Sequence, residues 1–351
     1  MNRDELLKRI ASDRPIVGED LSGMDLSGAD LGQAHFENVV LKDADLSGAL
    51  LTEAHMEGCD LTAADLSGAD LSGAVLVDSR LDNASLEGAL LATADLSGSS
   101  LNGANLSGAD LSEADLSEAQ LKGACLRGAN LSKASCWNCD LSGAELVEAE
   151  LYRTDFSGSL FSKVNLSGAR AELAEFCGCD LSGLDLSGLL LKDADLSKAN
   201  LQRSNLTRCD LTQANLSKAD LSGAEMTGVM AAISDFLGTI LRATRLTGAT
   251  LTRSSFMEAD LSGADVSGSD LSEALIQASL CHGTIFRGCL MGYSDLSYSD
   301  FTDADFTGAN LTWARLHRAN TKGARFHRAL TLNARGTDAE LARAEEWKAP
   351  F

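Results

Sequence analysis

One feature dominates this sequence: from Leu21 to Thr331 every fifth residue is a centre, almost always Leu, Phe, Ile, Val or Met, and the register never slips. The stretch beginning at Asp20 reads DLSGM DLSGA DLGQA HFENV VLKDA, and later stretches keep the same phase. The centres that are not large and apolar are Cys136, Ala171, Ala231, Cys281, Thr321 and Thr331. Two places before each centre stands a small residue, nearly always Ala, Ser, Cys or Thr, and Asp or Asn is favoured between them. Ser or Thr and then Gly follow the centre. A period of five fits neither the 3.6 of a helix nor the 2 of a continuous strand. Within each unit, small–polar–large alternates like a three-residue strand, and Ser-Gly reads as a turn. The chain must therefore turn a corner every five residues. Four corners close a lap of twenty residues, and laps stack at about 4.8 Å. The small and large residues point inward and the residue between them points outward. About 15 such laps are expected.

The unit Ala64-Asp65-Leu66-Ser67-Gly68 resembles the pentapeptide-repeat family, and the resemblance runs from about residue 19 to 335. It implies an all-β fold, a right-handed quadrilateral β-helix or β-solenoid; the period alone does not give the hand. Some relatives imitate DNA and bind bacterial type II topoisomerases, some are associated with secretion systems, and many have no known activity. Open ends of a solenoid invite pairing and call for caps. Residues 1–18 are read as an N-terminal helical cap, with Leu6, Leu7 and Ile10 on one face. Residues 336–351 are read as a C-terminal helical cap, opened by a capping box from Thr337 to Glu340. Leu341, Trp347 and Phe351 would cover the last lap, or Trp347 and Phe351 would form a docking tail.

Composition narrows the function. The net charge of −22 argues against direct binding to nucleic acid or to anionic membranes. No apolar run approaches the length of a membrane helix, and the first residues lack a secretory h-region. No phosphate-binding loop or nucleophile elbow occurs, and an uninterrupted register leaves no insertion from which to build a pocket. Ala171 and Ala231 under-fill their centres, while Leu184 and Leu189 over-fill small sites, so compensation or a slight bend is expected there.

The nine cysteines mostly take inward positions: Cys59, Cys139, Cys179, Cys209 and Cys289 at small sites, Cys136 and Cys281 at centres. Only Cys125 and Cys177 fall outward. Buried free thiols suit a reducing cytoplasm. One candidate metal cluster remains: His35 and His55 should stack one lap apart beside Glu37 and Glu57, four donors facing outward.

The surface carries the remaining expectations. Residues 1–160 hold 28 acidic and 10 basic side chains, net −18, against −4 for the rest. Asp25, Asp45 and Asp65 should form one column, and Asp95 and Asp115 another, as a phosphate ladder would. Between Asp305 and Asp338 no acid occurs, while Arg315, Arg318, Lys322, Arg325, Arg328 and Arg335 do. There Tyr293 should meet Trp313, and Tyr298 should make a cation–π contact with Arg318. Leu275, Leu280, Ile285 and Leu290 occupy four successive outward sites, a girdle around one lap. Leu50, Leu90, Leu190, Met230, Leu290 and Leu330 share one face. Exposed apolar residues of this kind mark contact sites. The expected function is a non-catalytic, cofactor-free scaffold or adaptor of the bacterial cytoplasm whose partner is another protein or a second copy, with the girdle and the Tyr293, Tyr298, Trp313, Arg315, Arg318 end as contacts. The alternative is an acidic mimic of DNA directed at DNA gyrase or topoisomerase IV.

Overall fold

The computed structural model describes residues 1–346, arranged in two compact units, Met1–Asp180 and a second beginning at Leu181. Each is a quadrilateral β-helix. After helix α1 (Arg3–Ile10), strand β1 (Ile16–Val17) pairs in parallel with β2 (Phe36–Glu37), residue against residue twenty further on. Within both units the outward residues continue that pairing as single parallel bridges, such as Asp25 with Asp45, Asp45 with Asp65 and Leu280 with Asp300. Residues 21–180 make eight laps in the first unit; residues 181–320 make seven in the second, followed by a partial one.

The backbone shows why five residues suffice. In the pentad centred on Leu26, its N–H reaches Asp45 O at 2.6 Å and the Gly28 N–H reaches Ser47 O at 2.9 Å, both one lap on. The Asp45 N–H returns to Met24 O at 3.0 Å, and the Ala29 N–H closes the corner on Leu26 O at 3.0 Å. The fifth donor, the Ser27 N–H, is held by the Asp25 carboxylate at 3.0 Å. Every N–H of a pentad that carries the outward Asp thus has an acceptor, as a packed solenoid favours. The last residue of each corner is left-handed: Gly68 at φ 63°, but also Ile233 at 61° and Trp313 at 63°. Glycine is favoured there because it has no Cβ to clash.

The interior is filled as the pattern requires. Leu66 and Leu86 are fully buried, and the small-site alanines from Ala29 to Ala314 are buried with them. Polar residues at the small sites donate to backbone carbonyls, many across laps: Thr154 Oγ1 to Leu131 O at 2.7 Å, Ser234 Oγ to Leu211 O at 2.6 Å, and the Cys139 thiol to Leu116 O at 2.8 Å. Ala171 is compensated within its own lap, where Phe161 and Phe176 pack at 5.7 Å and Phe176 stacks on Phe156 at 5.3 Å. Ala231 shares its lap with Phe236, stacked on Phe256 at 4.6 Å. Leu184 and Leu189 stay buried.

The ends differ from each other. Asn2 caps α1, accepting from the Glu5 N–H at 2.9 Å; Leu6 is buried, Leu7 and Ile10 half-buried. Arg9 pairs with Glu19 at 3.0 Å and Arg3 with Asp25 at 3.3 Å, fastening the helix to the first lap. Helix α2 (Ala339–Glu346) begins at Asp338 rather than Thr337: the Asp338 carboxylate accepts from the Glu340 and Leu341 N–H groups, while Thr337 Oγ1 accepts from the Arg318 N–H. Leu341 is exposed and does not cover the last lap, whose centres Thr321, Phe326 and Thr331 are themselves exposed or half-exposed. Instead α2 rests on the flank, where Glu345 engages Tyr298, His317 and Arg318. Trp347 and Phe351 lie outside the described residues.

Candidate protein-interaction surface

The outward Asp or Asn has a structural duty that its exposure conceals. Asp25, Asp45, Asp60, Asp220 and Asp265 each accept the N–H two residues on, at 2.9–3.2 Å, and the Ser or Thr hydroxyl there as well. This is an Asx-turn, and the recurring Asp-Leu-Ser spelled it in the sequence. At Asp305 burial pushes the carboxyl upward, but hydrogen bonds from Thr307 and Arg287 outweigh it and hold the group at about 2.

That duty changes the meaning of the acidic columns. Asp25, Asp45 and Asp65 do stack, and so do Asp95 and Asp115. Each spends one carboxylate oxygen on its own corner. The first column then passes to Ser85 and Asn105, and the second continues as Ser135. The charge is locally columnar but does not form a continuous ladder.

The aliphatic girdle stands out by contrast. Leu275, Leu280 and Leu290 are 40%, 45% and 48% exposed, while Ile285 is half-buried in a column whose next residue, Asp305, holds Arg287. Acids flank the lap on both sides: Asp260, Asp265 and Asp270 before it, Asp295, Asp300 and Asp305 after it. Those neighbours cap their corners, as do Ser262, Ser267 and Ser272 with their Asp partners before the girdle and Ser297, Thr302 and Thr307 with theirs after it. Across the girdle the backbone N–H groups of Gln277, His282, Arg287 and Gly292 have no acceptor among the described residues. Four consecutive caps are missing because leucine and isoleucine have no oxygen to offer. The other expected apolar face is broken up: Leu50 and Leu90 alternate with Asp70, and Leu190, Met230, Leu290 and Leu330 are separated by Asp210, Thr250, Asp270 and Asn310.

At the basic end the structure brings some expected residues together and not others. Tyr293 and Trp313 stack with parallel rings, centroids 6.2 Å apart. Tyr298 does not meet the Arg318 guanidinium; it meets His317 edge-on at 5.3 Å and donates to Glu345. Arg318 turns instead toward α2, donating to Ala342 O at 2.5 Å and pairing with Glu345, because a carboxylate and a carbonyl outbid a ring face. Arg315 belongs to a different face, beside Leu275, Tyr293 and Trp313.

The histidine cluster does not converge. His35 and His55 lie flat on each other, 4.7 Å between centroids and 3° between planes, because one lap is the thickness of a ring. With Glu37 and Glu57 they do not make a metal-holding group, and among the described residues no set of three His, Cys, Asp or Glu does. Cys136 and Cys139 are both buried. Burial pushes Cys59 up to about 11 and Cys179, Cys209 and Cys289 up to about 12, leaving those thiols protonated and unreactive.

The pentapeptide-repeat family model matches eight times, over residues 20–58, 54–91, 89–128, 124–168, 159–197, 190–228, 234–273 and 284–320. The chain belongs to the pentapeptide-repeat family. No curated protein matches it. Among solved structures it is similar to trypsin-treated QnrB1, a plasmid-mediated fluoroquinolone resistance protein (23% identity, 51% of this chain and 88% of that one, TM-score 0.44). It is also similar to HetL, from the cyanobacterium Nostoc sp., involved in heterocyst differentiation regulation (29% identity, 75% and 96%, TM-score 0.25). A third is Rfr23 from the cyanobacterium Cyanothece 51142 (24% identity, 47% and 92%, TM-score 0.19). In this pentapeptide-repeat protein, then, the repeat supplies a scaffold, and its departures from consensus mark where the surface has been altered.

Proposed function

We propose that this pentapeptide-repeat protein is a non-catalytic scaffold of the bacterial cytoplasm that binds a protein partner through the aliphatic lap at Leu275, Leu280 and Leu290. The carrying observation is that the four uncapped corners here present only aliphatic residues, three of them exposed, whereas the uncapped runs at residues 75–90 and 240–255 include Arg, Ser or Thr. Each Asx hydrogen bond contributes about 0.5–1.5 kcal/mol, so replacing four in succession by half-wet aliphatic side chains sacrifices fold stability. A partner surface that covers those side chains recovers that loss. The alternative, a DNA mimic directed at gyrase or topoisomerase IV, draws support from the acidic columns, but their interruption by Ser85, Asn105 and Ser135 favours the girdle.

Photo-crosslinking from position 280 in the source cell identifies the partner, whether a second copy or another protein. The variant Leu280→Asn/Leu290→Asn gives His282 and Gly292 the caps that the repeat prefers, so it should fold as well as wild type. Affinity for the purified partner, or self-association in sedimentation velocity, should fall at least tenfold. Equal affinity in the capped variant refutes the proposal. Inhibition of purified gyrase supercoiling at micromolar protein would favour the alternative.

A further inference from the structure

Beside the aliphatic lap the corner residues Tyr293 and Trp313 wall a cleft of about 330 Å³, with Leu275 on its floor and Asp295, Arg315 and Arg335 along its other side. Both rings are open to solvent, Tyr293 at 66% and Trp313 at 41% exposure. The charges of this cleft do not balance. The Asp295 carboxylate is already engaged, by the Ser297 N–H at 3.1 Å, the Ser297 hydroxyl at 2.6 Å and Gln277 Nε2 at 2.7 Å. Arg315 stands 3.9 Å from it, a loose pair. Elsewhere in the same unit Arg242 and Arg287 close on Asp260 and Asp305 at 2.6 Å. Arg335, bridged one lap beyond Arg315, has no acidic partner among the described residues. No acid lies between Asp305 and Asp338 to supply one. Two guanidinium groups therefore face a cleft that holds one committed carboxylate.

We propose that this cleft binds an acidic, extended segment of a partner protein, with two carboxylates on Arg315 and Arg335 and an aliphatic or aromatic side chain between Tyr293, Trp313 and Leu275. The proposal deepens the reading of the girdle and rests on it, since Leu275 belongs to both. Neighbouring laps hold the two arginine backbones about 4.8 Å apart, and alternate side chains of an extended peptide lie about 6.6 Å apart on one face. Flexible arginine stems span that difference, and each guanidinium takes a carboxylate bidentately. The aromatic wall supplies contact area at little entropic cost, the role that aromatic and arginine anchors fill at interfaces. Both rings stand on left-handed corners, Tyr293 at φ 60° and Trp313 at φ 63°, where glycine is the residue the backbone prefers. The rings can therefore be removed without threatening the fold.

The experiment uses the full-length protein and an octapeptide carrying fluorescein on its N-terminal amine, fluoresceinyl-Glu-Glu-Glu-Leu-Phe-Glu-Glu-Glu-amide, read by fluorescence anisotropy. Its Gln-for-Glu counterpart and a twelve-nucleotide oligo-dT serve as comparisons. Saturable binding of the acidic peptide is expected, at least about tenfold weaker for the Gln peptide and weaker still for oligo-dT. Trp313→Gly and Arg335→Glu should each weaken the acidic peptide at least about tenfold while retaining the wild-type melting temperature. Absent saturation at millimolar protein, equal affinity for the Gln peptide, indifference to both variants, or tighter binding of oligo-dT each overturns the proposal. The capped girdle variant separates the two readings. Loss of partner binding there, with no peptide binding in wild type, removes the cleft and leaves the girdle; peptide binding with unaltered partner affinity in that variant removes the girdle.

Discussion

The caps make a quantitative prediction at Asp305, a carboxylate only 2% exposed. Its Oδ1 accepts from the Thr307 N–H at 3.0 Å and the Thr307 hydroxyl at 2.5 Å, and its Oδ2 takes Arg287 Nε at 2.6 Å and Arg325 Nη2 at 3.4 Å. Asp305→Ala removes all four contacts. Losing the cap removes about 1 kcal/mol, and losing ion pairs to half-exposed arginines about another 1. The variant should therefore be destabilised by about 2 kcal/mol at pH 7. Asp305→Asn keeps an oxygen for Thr307 and should lose only about 1. The pH dependence has a definite sign. A carboxyl held at about 2 in the fold, against 3.8 unfolded, stabilises above the unfolded value and loses that contribution as pH falls toward 2. The gap between wild type and Asp305→Ala should thus narrow by about 1 kcal/mol between pH 5 and pH 3. Chemical denaturation across that range measures it. Hydrogen exchange should place the added opening in residues 281–325, because a solenoid lap contacts only its neighbours. Equal stabilities for the Ala and Asn variants, or a gap unchanged at pH 3, would refute the capping argument.

Two further outcomes follow from the same geometry. Ile233 is β-branched and exposed on a left-handed corner, so Ile233→Gly should raise stability by about 0.5–1 kcal/mol in urea denaturation, whereas the same change at a buried centre should destabilise it. In native protein, Cys125 and Cys177, the two half-exposed thiols, should be alkylated by iodoacetamide well before the seven buried ones; peptide mapping showing Cys59 or Cys209 labelled first would contradict the interior packing.

Much of the molecule is written in its period. An interval of five with a small residue two places before a large one admits few packings, so the lap of twenty, the inward and outward sets, the fate of Cys59 or Cys281 and the stacking of His35 on His55 could all be read from residue numbers. Period locates backbones but says little about where long side chains settle. Tyr298 is one lap before Arg318, yet the arginine bends away to Glu345, a residue of a helix that lies outside the repeat. The acidic columns are read as positions and not as hydrogen-bond acceptors, although Asp-Leu-Ser carries that signal, and only the second role shows what Leu275, Leu280, Ile285 and Leu290 give up. The cleft beside Trp313 likewise required the fold, because it joins a corner of one pentad to the outward site of the next across successive laps. Local alternation and strict spacing settle which residues are inside, since burial must repeat wherever the backbone does. Which charges remain unbalanced depends on competition among partners brought together from distant parts of the chain, and that competition exists only once the laps are stacked.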